Sequence, residues 1–237
     1  MVKVNGEDAE PMLGIAGGWD SLRATGTEWR HHARDLEAFE RGSTPPDGIG
    51  VAIFRARHES AVESPSETRE PWLLWIEKPD LKRAEFMVGA ELWTVVFHGD
   101  DWWSWSPSRG SRSNNGRTNY THGAGPSEGL LTTDLLPRAL DLEEVSRGTL
   151  LGRDVIHVRG SPRPVATAED FRLMSEALHP FGLGGDEYLF ALDGEHGVLL
   201  RSEARAAGSP FRIIEVADIA FNVPFPTDAF VIHPPTE

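Results

Sequence analysis

The chain of 237 residues contains no cysteine. That excludes a disulfide framework and any thiolate metal site, and it suits a reducing compartment. It also lacks an excess of positive charge. Against 37 acidic residues stand 23 basic ones, for a formal net charge of −14 at pH 7. A polyanion such as DNA or RNA would be repelled, so nucleic acid is not expected as a partner. No apolar run is long enough to span a bilayer, so no transmembrane segment is expected. The opening residues, Met1 to Asp8, have no apolar core of a secretory signal. The expected location is therefore cytoplasmic. No Gly-x-Ser-x-Gly elbow occurs. The run Gly182-Leu183-Gly184-Gly185 has no Lys-Ser/Thr partner and reads as a hinge rather than a phosphate loop.

What the sequence does hold is a series of short apolar segments broken by turn residues. A chain of this length can bury a sizeable core without metal or disulfide staples. Thr27 to Arg41 carries Trp29, Ala33, Leu36 and Phe39 at helical spacing, with Gly42 placed to end it. Gly50 to Glu59 reads as a strand, and Ser60 to Arg69 as a polar linker. Closely spaced strands follow at Trp72–Lys78, Leu81–Val88, Leu92–Phe97 and Trp102–Ser106, the spacing of an antiparallel meander. Ser106 to Gly129, rich in Ser, Asn, Gly and Arg, reads as a long loop.

Two more strands are expected near Leu140–Ser146 and Leu151–Arg159. A helix is expected at Ala168–Leu178, with Thr167 as N-cap and Asp170 at the capping-box position. The last strands fall at Glu187–Asp193, Val198–Arg205 and Pro210–Ala220. The expected domains are an N-terminal segment with one helix, 1–48, and a β-domain, 49–237.

Six of the eight tryptophans lie between Trp72 and Trp105. Alternation sends Trp103 and Trp105 to one face and Trp102 to the other. Such aromatics either pack a core or line a ligand site. Phe54, Trp75, Phe86, Val95, Phe190 and Leu199 are the candidate lining residues. Glu28 and His32, one helical turn apart, fall short of a metal ligand set. The turn His98-Gly99-Asp100 is explained by turn chemistry alone. Neither a metal nor a cofactor is expected.

The order of several short motifs points to a family. Trp75-Ile76-Glu77-Lys78-Pro79 is followed by Arg83-Ala84-Glu85-Phe86 and then by Trp103-Ser104-Trp105-Ser106-Pro107. Gly152-Arg153-Asp154-Val155-Ile156 comes next, then Asp193 with Gly197-Val198-Leu199-Leu200-Arg201, and finally Phe221-Asn222 through Phe230. The ordered set, from about Gly50 to Phe230, resembles the LolA-like lipoprotein carriers and the related periplasmic regulators that bind anti-sigma factors. The resemblance implies an α+β, mainly antiparallel fold. It would be a curved open sheet, a half-barrel of about ten strands, with two or three helices against its concave face. It also implies a non-catalytic protein that binds a lipid or other hydrophobic ligand in the half-barrel. The alternative is a protein-interaction or regulatory module on the same fold with no ligand. An enzyme is the third class, for which no pair or triad of side chains has supporting context.

Overall fold

The structure, a computed structural model, describes residues 18–44, 65–114, 123–131 and 133–232. Among these, eleven strands form one open antiparallel sheet, mainly β as expected. The strands are β1 (Ser21–His31), β2 (Glu67–Glu77), β3 (Leu81–Val88), β4 (Glu91–His98), β5 (Asp101–Ser106) and β6 (Gly110–Ser113), then β7 (Leu140–Leu150), β8 (Arg153–Pro162), β9 (Glu187–Asp193), β10 (Leu199–Ala206) and β11 (Ser209–Phe221). The order across the sheet is β6-β5-β4-β3-β2-β1-β11-β10-β9-β8-β7. Three α-helices accompany it: α1 (His32–Gly42), α2 (Leu136–Ala139) and α3 (Ala168–Leu178). The strand expected at Gly50–Glu59 lies outside the described residues.

The helix expected from Thr27 starts five residues later. Ser21 to His31 is strand, with Leu22, Ala24 and Glu28 buried at every second position. That period-two burial, with β-branched Thr25 and Thr27, suits a pleated strand better than a helix. Glu28 and His32 are therefore not neighbours on a helix. Glu67–Arg69, expected to be linker, belong to β2, and Gly110–Ser113, expected to be loop, form β6. The α3 span and its capping box agree with expectation: Asp170 N donates to Thr167 Oγ1 (3.1 Å) and Thr167 N donates to the Asp170 carboxylate (2.8 Å).

The chain falls into two compact units, one holding 28–69 and 129–215, the other 17–27, 70–128 and 216–237. In the first unit, carboxylates are buried and kept charged by arginines. Glu28 accepts from Arg30 (2.7 Å) and Arg212 (2.6 Å). Burial alone would raise its pKa, but these two guanidinium groups hold it below the usual range. Glu203 is held in the same way by Arg205 and Arg201. Asp193, at the end of β9, is paired with Arg153 at the start of β8 and accepts from the amides of Glu195 (3.0 Å) and His196 (2.7 Å). Its pKa is likewise pulled down against the effect of burial.

The same unit contains a close backbone approach. A Cβ on Gly184 (φ +88°) would sit 1.8 Å from the Ala38 carbonyl oxygen of α1. Arg41 of α1 donates twice to the Gly184 carbonyl, at 2.6 and 3.2 Å. Buried Tyr188 accepts from Gly185 N (3.0 Å) and donates to Gly182 O (2.8 Å). The glycine run read as a hinge is thus pinned from both sides, and its glycines serve close packing.

In the second unit, both faces of β4 are covered: Thr94, Val95 and Val96 are all buried. Trp72, Leu74, Ala84, Phe86, Val95 and Trp102 are buried on one face. Gly125 packs directly on the Phe86 ring there. On the other face Val96 packs with Phe230, Ala229, Phe225 and Trp75. Arg83 fastens that cover by donating to the carbonyls of Ala229 and Val231, both at 3.1 Å. Asn222, in the left-handed region (φ 55°), accepts from Asp20 N (2.8 Å) and donates through its own amide to Ser21 O (2.8 Å).

Replacing Arg153 by Met would leave Asp193 buried without its cation. The expected loss at pH 7 is about 3 kcal/mol, measured by urea denaturation. The parent is stabilised by Asp193 above the unfolded carboxylate pKa and loses that stability as pH falls through the lower folded value. The gap between variant and parent should therefore shrink as pH is lowered below about 4. A gap that stays constant with pH would contradict the assignment.

Candidate functional site

The capping box fixes where α3 begins, and so which side chains follow on each face. Phe171 and Leu178 are buried, two helical turns apart. Met174, between them on the same stripe, and Leu173, on the other side of the helix, are only half-buried. They face Pro137 and Ala139 of α2 and Val165 from the segment after β8, around a cleft of about 410 Å³. Pro137 sits in the first turn of α2, where its missing N–H costs nothing. The amide of Arg163 donates to Ala139 O (2.9 Å), which holds the third wall against the end of α2. Arg138 and Arg163 stand at the cleft, and the Arg163 guanidinium also bonds Leu140 O (3.2 Å) and Asp141 (3.1 Å).

This is a half-apolar cleft within the size range of small-molecule sites. Leu173, Met174, Val165, Pro137 and Ala139 were not among the residues singled out in the sequence. The signal was there in part: α3 carries apolar residues on more than the one face a core helix needs. A second, more polar groove of about 840 Å³ lies along Arg147, Gly152, Arg153, Asp154 and Glu195.

The candidate lining residues divide. Phe54 lies outside the described residues. Phe190 and Leu199 are buried in the first unit, where Phe181 meets Phe190 edge-on (5.4 Å between centroids). Phe86 and Val95 share one face in the second unit, as the register Ala84↔Val95 and Trp72↔Phe86 requires. Trp75 is on the opposite face, against Phe225 (5.5 Å). Neither the cleft nor the groove is lined by any of these five.

Among the described residues, no group of three or more His, Asp or Glu side chains is arranged to hold a metal. No helix is long and apolar enough to cross a membrane. The buried carboxylates are all on arginine, with lowered pKa values. Lys82, next to the Phe97 ring (4.3 Å), is pushed down by burial, with Glu128 opposing.

No family model and no curated protein matches the chain. Solved structures do. MucB in its complex with MucA from Pseudomonas aeruginosa aligns with 97% of this chain at 11% identity and a TM-score of 0.54. MucB in a second structure aligns with 96% at 13% identity and the same TM-score. The chain shares the fold of MucB. It spans 62–63% of the length of those MucB chains. A LolA superfamily protein from Nitrosomonas europaea aligns over 97% of this chain and 98% of its own at 9% identity, with a TM-score of 0.34. The resemblance read from the order of motifs is borne out at the level of fold. In this MucB-like fold the motifs have physical roles. The Gly-Arg motif and the Asp hairpin meet in the Arg153–Asp193 pair, and the Arg83 motif fastens the closing segment that Asn222 starts.

Phe181→Ala is expected to lower stability by about 3–5 kcal/mol and to leave an apolar cavity before Phe190. Thermal unfolding would measure the first effect, and enhanced fluorescence of an apolar dye the second. A stable variant that takes up no dye would show that Phe181 does not cover Phe190 as described.

Proposed function

We propose that the chain is a non-catalytic binding protein that holds a lipid or another hydrophobic molecule. The observation that carries this reading is the cleft beside α2 and α3, where Leu173, Met174 and Val165 remain half-buried instead of closing on one another. The cleft is half apolar: Leu173, Met174, Val165, Pro137 and Ala139 offer walls to an apolar portion, and Arg138, Arg163 and Asp170 stand where a polar head would lie. Phe190 and Leu199, and separately Phe86, Val95 and Trp75, are proposed as further lining, reached when the segments that cover them part. The arginine-held carboxylates support the non-catalytic part of the reading. An acid–base residue working near neutral pH needs a raised carboxylate pKa, and these are lowered.

A second reading, a protein-interaction module without a ligand, has its own support. Phe181 fills the space before Phe190, and Phe230 covers Val96. The MucB whose fold the chain shares was solved in complex with MucA. The cytoplasmic location expected from the amino-acid sequence gains nothing from these likenesses.

Native mass spectrometry after mild purification, followed by titration with a fluorescent fatty acid, separates the two readings. The expected result is a bound small molecule or saturable uptake. Met174→Glu, which puts a charge on the apolar wall, is expected to weaken uptake by about tenfold. A ligand-free chain that also fails to take up the probe would leave the interaction module as the better reading.

A further inference from the structure

Strand β7 ends the sheet, and among the described residues it is hydrogen-bonded to β8 alone. It is eleven residues long, and Val145 to Thr149 are all exposed. The exposed part of such an edge presents a row of backbone donors and acceptors to an extended partner. We propose that β7 pairs with β7 of a second copy of this chain, in one antiparallel register set by Glu144 and Arg147.

The register follows from a bulge. Glu144 is opposite Val158 and Ser146 is opposite His157, so Val145 has no partner on β8 and stands 53% exposed. The extra residue resets the alternation of side chains. Glu144, opposite Val158, and Arg147, opposite Ile156, therefore share one face of the sheet, because Val158 and Ile156 are two residues apart on β8. Within the strand the Arg147 guanidinium already bonds the Glu144 carboxylate, at 2.9 and 3.2 Å.

Two copies paired about an axis between Val145 and Ser146 set Glu144 of each opposite Arg147 of the other, on that same face. Each carboxylate then lies between two guanidinium groups and each guanidinium between two carboxylates. Opposite charges directly across a strand pair are favourable, and the contact is self-complementary as a two-fold axis requires. Sliding by two residues one way puts Glu144 opposite Val145 and Leu142 opposite Arg147. Sliding the other way puts Glu144 opposite Thr149 and Arg147 opposite Ser146. Neither slip pairs the charges. The bulge and the charges, devices that keep edges from pairing at random, admit one register here.

A contact of one strand pair buries less than a standard interface, so the association should be weak, in the micromolar range or above. Sedimentation velocity of the full chain, from about 1 to about 500 µM, tests it. The expected result is a concentration-dependent monomer–dimer equilibrium. Glu144→Arg, Arg147→Glu and, at the axis itself, Val145→Lys are each expected to shift the equilibrium toward monomer by about tenfold or more. The double variant Glu144→Arg with Arg147→Glu restores the alternating charges and is expected to recover dimerisation. Thermal unfolding checks that each variant is folded, and exposed Val145 is the substitution least able to disturb the fold. A chain that stays monomeric throughout overturns the proposal and leaves the edge to a strand from another protein. So does a dimer that folded Val145→Lys leaves unchanged, or a folded double variant that does not recover pairing.

Discussion

Carboxylates taken out of water and kept charged by arginine are the constraint on which this sheet depends. Glu28 on β1, Asp193 on β9 and Glu203 on β10 are all buried, and each is held by one or two guanidinium groups. A buried ion pair contributes little net stability, because desolvation offsets most of the attraction. Losing one partner is a different matter, since the other is left as an uncompensated buried charge. Where the partners sit on different strands, as Glu28 with Arg212 and Asp193 with Arg153, the pairs act on register: a slip of one residue would turn every side chain of a strand to the other face and separate the charges. Of the 23 basic residues only Lys3, Lys78 and Lys82 are lysines. That fits sites where a planar, weakly hydrated cation must serve two acceptors while partly buried.

The remaining fixtures work through backbone groups. Arg83 reaches the carbonyls of Ala229 and Val231, Arg41 reaches that of Gly184, and Asn222 joins the start of β1 to the end of β11. Each joins segments far apart in the chain without demanding a particular side chain from the segment it holds. This accounts for motifs that look slight in a sequence: single arginines, glycines and one asparagine. They hold distant segments of the fold together. What they leave open is a cleft walled by Leu173, Met174 and Val165, and the edge of β7.

Much of this was legible in the sequence where local signals were strong. The α3 capping box, the β3 span and the β9 span are local: they depend on a cap, tight turns and alternation within a few residues. The start of α1 was misread because Trp29, Ala33, Leu36 and Phe39 fit helical spacing, while pairing with neighbouring strands carried the chain on as β1 to His31. Short β6 was hidden in polar sequence because its register, Trp103↔Ser113 to Ser106↔Gly110, comes from the strand beside it. The cleft was less legible still. Leu173 and Met174 look like core residues on a helix, and only the placement of α2 beside them leaves them half-buried.

The sequence by itself determined the class of protein: acidic, without cysteine, built from short alternating segments, with motifs in the order of a LolA-like half-barrel. Alternation also determined that Trp102 and Trp103 would part, one buried and one exposed. The tertiary structure decided which apolar residues are filled against their own chain and which are left facing a cleft. It placed Trp75 on the opposite face from Phe86 and Val95, and it joined Arg153 to Asp193 across 40 residues. The physical reason is range. Alternation and capping act over a few residues and are written locally. Burial, the pairing of charges and the exposure of an edge depend on segments that meet only when the sheet has formed.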